Sequence, residues 1–258
     1  MKNAVKEKLK NGEKVLGSFI GIYSPNLIEL IGYSGFDFVV IDDEHGAFSH
    51  SELENIIRTA ESVDVVPIVR VSYDRSSIQK ALDRGAKGIQ VPMVNTKQDA
   101  ERAVQKAKFP PRGTRGAAYS HRAARFGKDS GKAFLDASDE NILVIPHIET
   151  LEAAENFKEI MSVDGIDLAF IGTTDLSVNM GYKSEGPKHP NVQKVVNDLY
   201  RKAAEERLKI GTVAASASGA QHAFKKGADY VGIVAISTIL RSFEQVVKAS
   251  KIKSMEQV

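Results

Sequence analysis

The chain has 258 residues, of which 42% are hydrophobic and 26% charged, a composition ordinary for a globular protein that buries a sizeable core in one domain. A formal net charge of +2 does not by itself predict a nucleic-acid partner, and the absence of cysteine excludes disulfides, thiol nucleophiles and zinc–thiolate sites. The lysine-rich residues 1–14 lack an apolar signal-peptide core, and no apolar run approaches the roughly 18 residues of a membrane helix, so we expect a cytoplasmic protein with no membrane partner.

Strand-like runs recur along the chain, and most of them are continuously apolar. They lie at about 15–21, 37–41, 65–70, 87–91, 142–148, 166–171, 209–213 and 229–235. Helical patterns between them are clearest at 51–62, 76–84, 96–107, 191–207 and 237–251. Continuously apolar strands are typical of a parallel sheet covered by helices. Eight such units predict a single (β/α)8 TIM barrel over residues 1–258. The alternative, a doubly wound open sheet, usually carries a glycine-rich phosphate loop after its first strand, and the sequence has none there.

Four glycines are predicted to end helices, because glycine adopts the left-handed backbone conformation without a steric cost. They lie between a helical pattern and the next strand-like run: Gly85, Gly165, Gly211 and Gly227.

The segment 108–141 interrupts the alternation of strands and helices. From Arg102 to Lys128 the chain has no acidic residue. Loops of this length are usually functional or disordered, so we predict a basic lid or subunit contact that attracts anions. A solvated basic surface loop explains the same charge equally well. RNA binding is disfavoured, because no stacking motif surrounds its three aromatic residues.

Two carboxylates follow neighbouring predicted strands, Glu149 after the fifth and Asp175 after the sixth. In a barrel the two would converge on one rim, and Mg²⁺ or Mn²⁺ is typically held by one or two carboxylates. A single acid at such a turn more often caps the following helix. Their position on neighbouring strands favours a metal site.

Three further polar residues stand at or beyond strand ends. His45 has acidic neighbours that could tune its basicity, although a loop histidine without a catalytic role is the alternative. Arg70 could bind a carboxylate or a developing oxyanion, and a salt bridge to Asp42 or Glu44 is its alternative. His147 shares a strand face with the acid two residues later, so it could be a ligand, a donor behind a ligand, or part of the core.

The order and spacing of several motifs resemble the HpcH/HpaI family of metal-dependent pyruvate aldolases over nearly the whole chain. Each motif alone is weak, and together they are specific. They are Gly35-Phe36-Asp37 before Ile41-Asp42-Asp43-Glu44-His45, Pro67-Ile68-Val69-Arg70, Val91-Pro92-Met93-Val94, Phe109-Pro110-Pro111-Arg112-Gly113-Thr114-Arg115-Gly116, Ile148-Glu149-Thr150, and Phe170-Ile171-Gly172 with Asp175-Leu176-Ser177.

The resemblance implies a lyase of sugar-acid or aromatic-compound catabolism that cleaves a 4-hydroxy-2-oxo acid to pyruvate and an aldehyde through a metal-stabilised enolate. It also implies a homo-oligomer, commonly a hexamer that exchanges its last helix between neighbours. The alternatives are an oxaloacetate decarboxylase or acyl-CoA-ester lyase of the same superfamily, and a non-catalytic sugar-acid-binding barrel. A CoA ester would need room for a large nucleotide, which a chain this compact is not expected to offer.

The resemblance also implies roles for individual residues. They are the metal ligands Glu149 and Asp175, the base His45 oriented by Asp83, the catalytic partner Asp42, the keto-oxygen donor Arg70, and the substrate-binding residues Gly172, Thr173, Thr174 and His147.

The chain departs from the family pattern at two places. His147 stands where glutamine is usual, and Thr173-Thr174 replace a proline and a small residue. A nitrogen ligand at His147 would favour Co²⁺ or Zn²⁺ over Mg²⁺. The segment 120–127 is similar to a loop of glucarate-type sugar-acid aldolases, which favours a small, polar, acidic acceptor aldehyde. The candidate lid or neighbouring-subunit contacts are Arg115, His121, Arg122 and Arg125.

Overall fold

Eight parallel strands form a closed barrel in chain order, with the last strand paired to the first. The computed structural model describes residues 2–72, 74 and 76–250. The strands are β1 Val15–Ile20, β2 Phe38–Asp42, β3 Val66–Arg70, β4 Gly88–Val91, β5 Leu143–Ile148, β6 Ala169–Ile171, β7 Ile210–Ala214 and β8 Tyr230–Val234. All eight predicted strands and the single (β/α)8 domain are confirmed.

Helices surround the barrel, and the five predicted helices are among them. The predicted end of the last helix, Lys251, lies outside the described residues. None of the described helices is both long enough and apolar enough to span a membrane. The helices are α1 Ala4–Lys10, α2 Pro25–Tyr33, α3 His50–Ser62, α4 Ser77–Asp83, α5 Lys97–Ala107, α6 Gly131–Asn141, α7 Leu151–Glu155, α8 Phe157–Met161, α9 Thr173–Asn179, α10 Pro190–Glu205, α11 Ala217–Lys226 and α12 Ala235–Ser250, with 3₁₀ turns at Arg122–Gly127 and Gly186–Lys188.

The barrel interior is a separate hydrophobic cluster, which α1 closes at the N-terminal end with Val5 and Leu9. Side chains along a strand alternate between its two faces. Phe38 and Val40 of β2 belong to the interior cluster, so the next residue on that face, Asp42, also points inward at the carboxyl end of the strand. The same alternation in the other strands directs polar residues to this rim.

Three of the four glycines predicted to end helices have left-handed backbones. The φ angles are 108° at Gly85, 100° at Gly165 and 115° at Gly227. The prediction was wrong for Gly211, which lies inside β7. A Cβ atom there would be 2.9 Å from Cδ1 of Tyr230, so close packing against this ring explains the glycine.

The segment 108–141 is not an unbroken loop, because it contains a 3₁₀ turn and α6. It connects α5 to β5, so it begins and ends at the N-terminal end of the barrel, opposite the rim where TIM-barrel sites lie. It does not cover this chain's own rim, and a contact with a neighbouring subunit stays a prediction. Its arginines pair with acids: Arg115 with Asp83, Arg122 with Glu61 and Arg125 with Asp129.

Candidate active site

A cavity of about 270 Å³ opens at the carboxyl ends of the strands. It brings together eight of the residues that the sequence analysis singled out, and its remaining wall is apolar. The lining residues are Phe19, His45, Arg70, His147, Glu149, Phe170, Gly172, Thr173, Thr174, Asp175, Val213 and Val234.

Glu149 is buried at 3% exposure, and both of its carboxylate oxygens have partners. Oε1 accepts the amide N–H of Met93 at 2.7 Å, and Oε2 lies 3.1 Å from Nδ1 of His147. Met93 has a left-handed backbone, φ 54°, a strained conformation of the kind found at functional sites. Burial alone would raise the pKa of Glu149, but His147, the Met93 amide and Arg70 outweigh it and hold this pKa below its usual value.

Neither predicted metal ligand caps a helix. The cap of α7 is the Thr150 side chain, which accepts the N–H of Ala153, while α9 begins at Gly172 without a side-chain cap. The helix-cap alternative for Glu149 and Asp175 was therefore wrong. Asp175 lies in the first turn of α9 and is exposed on the cavity wall.

Arg70 is held by two carboxylates at the rim. It donates to Asp42 from Nε at 2.8 Å and from Nη2 at 2.6 Å, and its Nη1 lies 3.2 Å from Oε2 of Glu44. Burial lowers the pKa of Arg70, but the hydrogen bonds and charges of these acids outweigh it and raise the pKa overall. Arg70 therefore forms the predicted salt bridges and also lines the cavity.

His45 lies at the mouth of the cavity, with 65% of its side chain exposed and Nε2 3.7 Å from Glu44. Its backbone N–H donates to Asp42 at 3.3 Å. Asp83 is elsewhere: it accepts a hydrogen bond from Arg115 at 2.7 Å and lies 3.6 Å from His121. Within one chain the structure does not bring Asp83 to His45.

The donor set fits a hard divalent cation. Two carboxylates, Glu149 and Asp175, line one cavity, which suits an ion that completes its coordination with water and substrate. Among the residues that the structure describes, no group of three or more His, Cys, Asp or Glu is placed to hold a metal. The cavity therefore offers two carboxylates, which is fewer than the three or four protein ligands of a typical zinc site.

Gln90 lies behind His147 and was not predicted to belong to the site. It is fully buried in β4, and its Oε1 is 2.9 Å from Nε2 of His147. A lone amide in an otherwise apolar strand was the available signal. The apolar wall was also missed, because Phe19, Phe170 and Val213 read simply as strand residues.

A model of the HpcH/HpaI aldolase/citrate lyase family matches residues 16–240. The chain belongs to this family. It is 32% identical to a 4-hydroxy-2-oxo-heptane-1,7-dioate aldolase of Klebsiella pneumoniae, over 93% of this chain and 90% of that protein. It is 31% identical to a 2-keto-3-deoxy-L-rhamnonate aldolase of Escherichia coli, over 93% and 89% respectively.

A solved structure, that of the citrate synthase SbnG, matches with a TM-score of 0.85 and 29% identity, over 95% of this chain and 96% of that one. The family and the named aldolases confirm the predicted class: the protein is a pyruvate-dependent aldolase, a carbon–carbon lyase that acts on a small oxo acid. They also support a divalent metal cofactor.

Proposed function

We propose that this cavity performs retro-aldol cleavage of a 4-hydroxy-2-oxo acid, with Mg²⁺ or Mn²⁺ held by Glu149 and Asp175. The observation that carries the proposal is the convergence of these two carboxylates with Arg70 and His45 on one cavity. When bound, the cation supplies Lewis acidity toward the oxo acid. The small cavity volume supports a compact substrate, whereas a CoA ester would extend far outside it.

Arg70 supplies hydrogen-bond donors where negative charge develops. A guanidinium has five N–H groups, and the contacts with Asp42 and Glu44 engage three nitrogens while leaving two N–H groups over. In the cleavage direction these donors stabilise the enolate oxygen at C2. The paired carboxylates fix the plane of the guanidinium before substrate arrives.

His45 acts as the base. It removes the proton from the 4-hydroxyl group, the C3–C4 bond breaks, the aldehyde departs, and the electron pair forms the enolate at C2 and C3. Protonation of C3 then gives pyruvate. The exposure of His45 at the cavity mouth supports proton exchange with solvent.

The Gly172 N–H donates to the Ile148 carbonyl oxygen at 3.2 Å, so the backbone amides of Thr173 and Thr174 are proposed to bind the carboxylate of the oxo acid. They form the start of α9, where the side-chain cap is absent, and the positive end of a helix favours an anion. His147 lies near the end of β5, and its Nδ1 contacts Oε2 of Glu149 at 3.1 Å.

Oxaloacetate decarboxylation is a second proposed activity of the same site. Oxaloacetate presents the same 2-oxo carboxylate, and loss of carbon dioxide leaves the same pyruvate enolate. The similarity to a citrate synthase structure favours an enolate-forming site that serves more than one reaction in this family.

We also propose that the aldolase assembles with copies of itself through α12, as a hexamer by resemblance, in the cytoplasm. Four large apolar residues of α12 recur at helical spacing and are 36–65% exposed: Ile236, Leu240, Phe243 and Val247. Such a stripe is typical of a helix face that packs on another surface. Within α12 only Ala235 is buried, so the residues that the structure describes leave this stripe uncovered.

Proton exchange of pyruvate tests the proposed site without knowledge of the aldehyde. Protein stripped with EDTA is incubated with pyruvate in deuterated buffer, Mg²⁺, Mn²⁺, Co²⁺ or Zn²⁺ is added in turn, and the methyl signal is followed by NMR. We expect exchange that depends on Mg²⁺ or Mn²⁺. Exchange that is absent with every cation would contradict the proposal.

A further inference from the structure

A chain of buried hydrogen bonds runs from the cavity to the far side of the barrel interior. Gln90 bridges His147 on β5 and Tyr230 on β8: its Oε1 lies 2.9 Å from Nε2 of His147, and its Nε2 donates to the Tyr230 hydroxyl at 3.0 Å. All three residues are at most 1% exposed. Buried polar groups that lack a partner are costly, so each member constrains the next.

His147 is the last member of this series of hydrogen bonds, and it contacts Glu149. Its ring stacks on Phe170, with centroids 4.7 Å apart and planes 26° apart. Its Nδ1 lies 3.1 Å from Oε2 of Glu149, and its Nε2 contacts Gln90. Rotating the Gln90 amide would exchange its oxygen and nitrogen, but Nε2 of His147 would still have a hydrogen-bond partner. Both ring nitrogens are therefore occupied, and neither presents a lone pair to a metal ion.

Glu149 is consequently fixed on three sides. Met93 binds one oxygen and His147 the other. A Cβ atom on Gly172 would lie 2.4 Å from Oε2, so only glycine leaves the space that this carboxylate occupies. Each carboxylate oxygen has a second lone pair, and these are the electrons that remain for a cation.

We propose that His147 is a positioning residue that sets the orientation of Glu149 through the buried Tyr230–Gln90–His147 chain, and that it is not a metal ligand. The inference rests on the proposed metal site at Glu149 and Asp175. It follows that His147 adds no nitrogen ligand to the two carboxylates, which favours Mg²⁺ and Mn²⁺ over the imidazole-seeking Co²⁺ and Zn²⁺.

Mn²⁺ binding to the apoprotein tests this inference without an activity assay. Partners that orient a metal ligand typically change metal affinity about 10-fold to 100-fold when they are replaced. We expect His147→Phe, which keeps an aromatic ring against Phe170, to weaken Mn²⁺ binding by that amount in calorimetry. His147→Gln keeps a donor and should recover most of the affinity. The ranking of Mg²⁺, Mn²⁺, Co²⁺ and Zn²⁺ should stay the same in both variants.

A substitution farther from the cavity tests the buried Tyr230–Gln90–His147 hydrogen bonds themselves. Gln90 does not line the cavity, yet Gln90→Leu should weaken Mn²⁺ binding about tenfold by releasing His147. Gln193→Leu is the matched control, because Gln193 bonds the Pro187 carbonyl away from the cavity and its loss should leave binding unchanged. Circular dichroism verifies that each variant folds, and Gln90→Leu keeps the inference testable if His147→Phe unfolds.

Pulsed EPR of the Mn²⁺-loaded wild type distinguishes a ligand from a positioning residue. We expect no coupling to a directly bound imidazole nitrogen. Such a coupling, if lost in His147→Phe, would overturn the inference, as would wild-type affinity in either His147→Phe or Gln90→Leu. If Glu149→Gln also binds Mn²⁺ like the wild type, or if the wild type binds none, the proposed metal site itself is wrong.

Discussion

Arg70 and Asp42 face each other across β3 and β2 and are joined by two hydrogen bonds, Nε to Oδ1 at 2.8 Å and Nη2 to Oδ2 at 2.6 Å. This two-point contact matches the planar guanidinium to the planar carboxylate. Because the two residues are also paired in the barrel register, the backbone sets their separation. The orientation of the remaining Arg70 donors is therefore fixed by the fold.

Replacing Arg70 tests its role at the enolate oxygen. Arg70→Ala should lower kcat/KM about 10²-fold to 10³-fold, the effect of removing an oxyanion donor, which corresponds to about 2.7–4 kcal/mol. Arg70→Lys should recover little, because lysine keeps the charge but lacks the fork that Asp42 binds. Pyruvate exchange and aldol cleavage measure both variants.

Arg58→Lys is the matched control for this experiment. Arg58 forms an exposed pair with Glu54 on α3, and exposed pairs contribute little to stability, so activity should be unchanged. A mild effect of Arg70→Ala would contradict the proposed role and leave Arg70 as a residue that holds the β2 and β3 ends together.

The fold could be predicted from the sequence because buried parallel strands are continuously apolar and glycines mark several helix ends. α6 could not be predicted in the same way. Of its residues only Asp139 is buried, so it presents no apolar stripe, and its hydrogen bonds with Lys108, Phe109 and Arg115 rather than its own pattern hold it in place. For this reason the sequence predicted a loop throughout 108–141, where the structure has α6.

The site was predictable where polar residues follow apolar strands, as with Glu149 and Arg70. Contacts between strands that are not neighbours were not predictable. The bond from Gln90 to Tyr230 depends on which inward residues meet across the barrel, and that is set by strand stagger. The contacts of Asp83 with Arg115 and His121 likewise depend on how the segment 108–141 folds back.

Gly172→Ala tests how tightly Glu149 is confined. The added methyl group would lie 2.4 Å from Oε2 of Glu149, so the carboxylate must move, and the backbone, with φ −85°, accepts alanine without strain. We expect Mn²⁺ affinity to fall about tenfold. Gly219→Ala is the control, since its Cβ would be 3.4 Å from its closest neighbour, and it should bind Mn²⁺ normally.

Removing either proposed ligand should remove the cation. Glu149→Gln and Asp175→Asn each replace a charged oxygen donor by a neutral amide, and we expect both to abolish Mn²⁺ binding at millimolar concentration together with pyruvate exchange. Glu152→Gln, an exposed acid of α7, should behave as wild type. Unchanged binding in both ligand variants would remove the metal-site assignment.

Substitutions in α12 test the proposed assembly of the protein with copies of itself. Phe243→Asp places a charge in the exposed apolar stripe, so it should shift the protein toward smaller species in sedimentation velocity, because a buried unpaired charge is costly. Gln245→Asp adds the same charge on the opposite face of the helix and should leave the assembly intact. A wild type that sediments as a monomer would contradict the proposal.

The buried ammonium of Lys108 makes stability depend on pH. Lys108 is 1% exposed, and its Nζ donates to the carbonyl oxygens of Asp139 and Ile142. Burial lowers its pKa to about 8 from the ordinary 10.5. Between these two values the unfolded chain binds more protons than the folded protein, so stability rises with pH there.

Lys108→Met removes this dependence while keeping an apolar side chain of similar length. The free energy of unfolding of the wild type, relative to that of Lys108→Met, should therefore rise by roughly 2 kcal/mol from pH 7.5 to pH 9.5. Urea unfolding of both proteins at the two pH values measures this difference, and groups common to both cancel. A difference that stays constant or falls with pH would show that the pKa of Lys108 is not lowered in the folded protein.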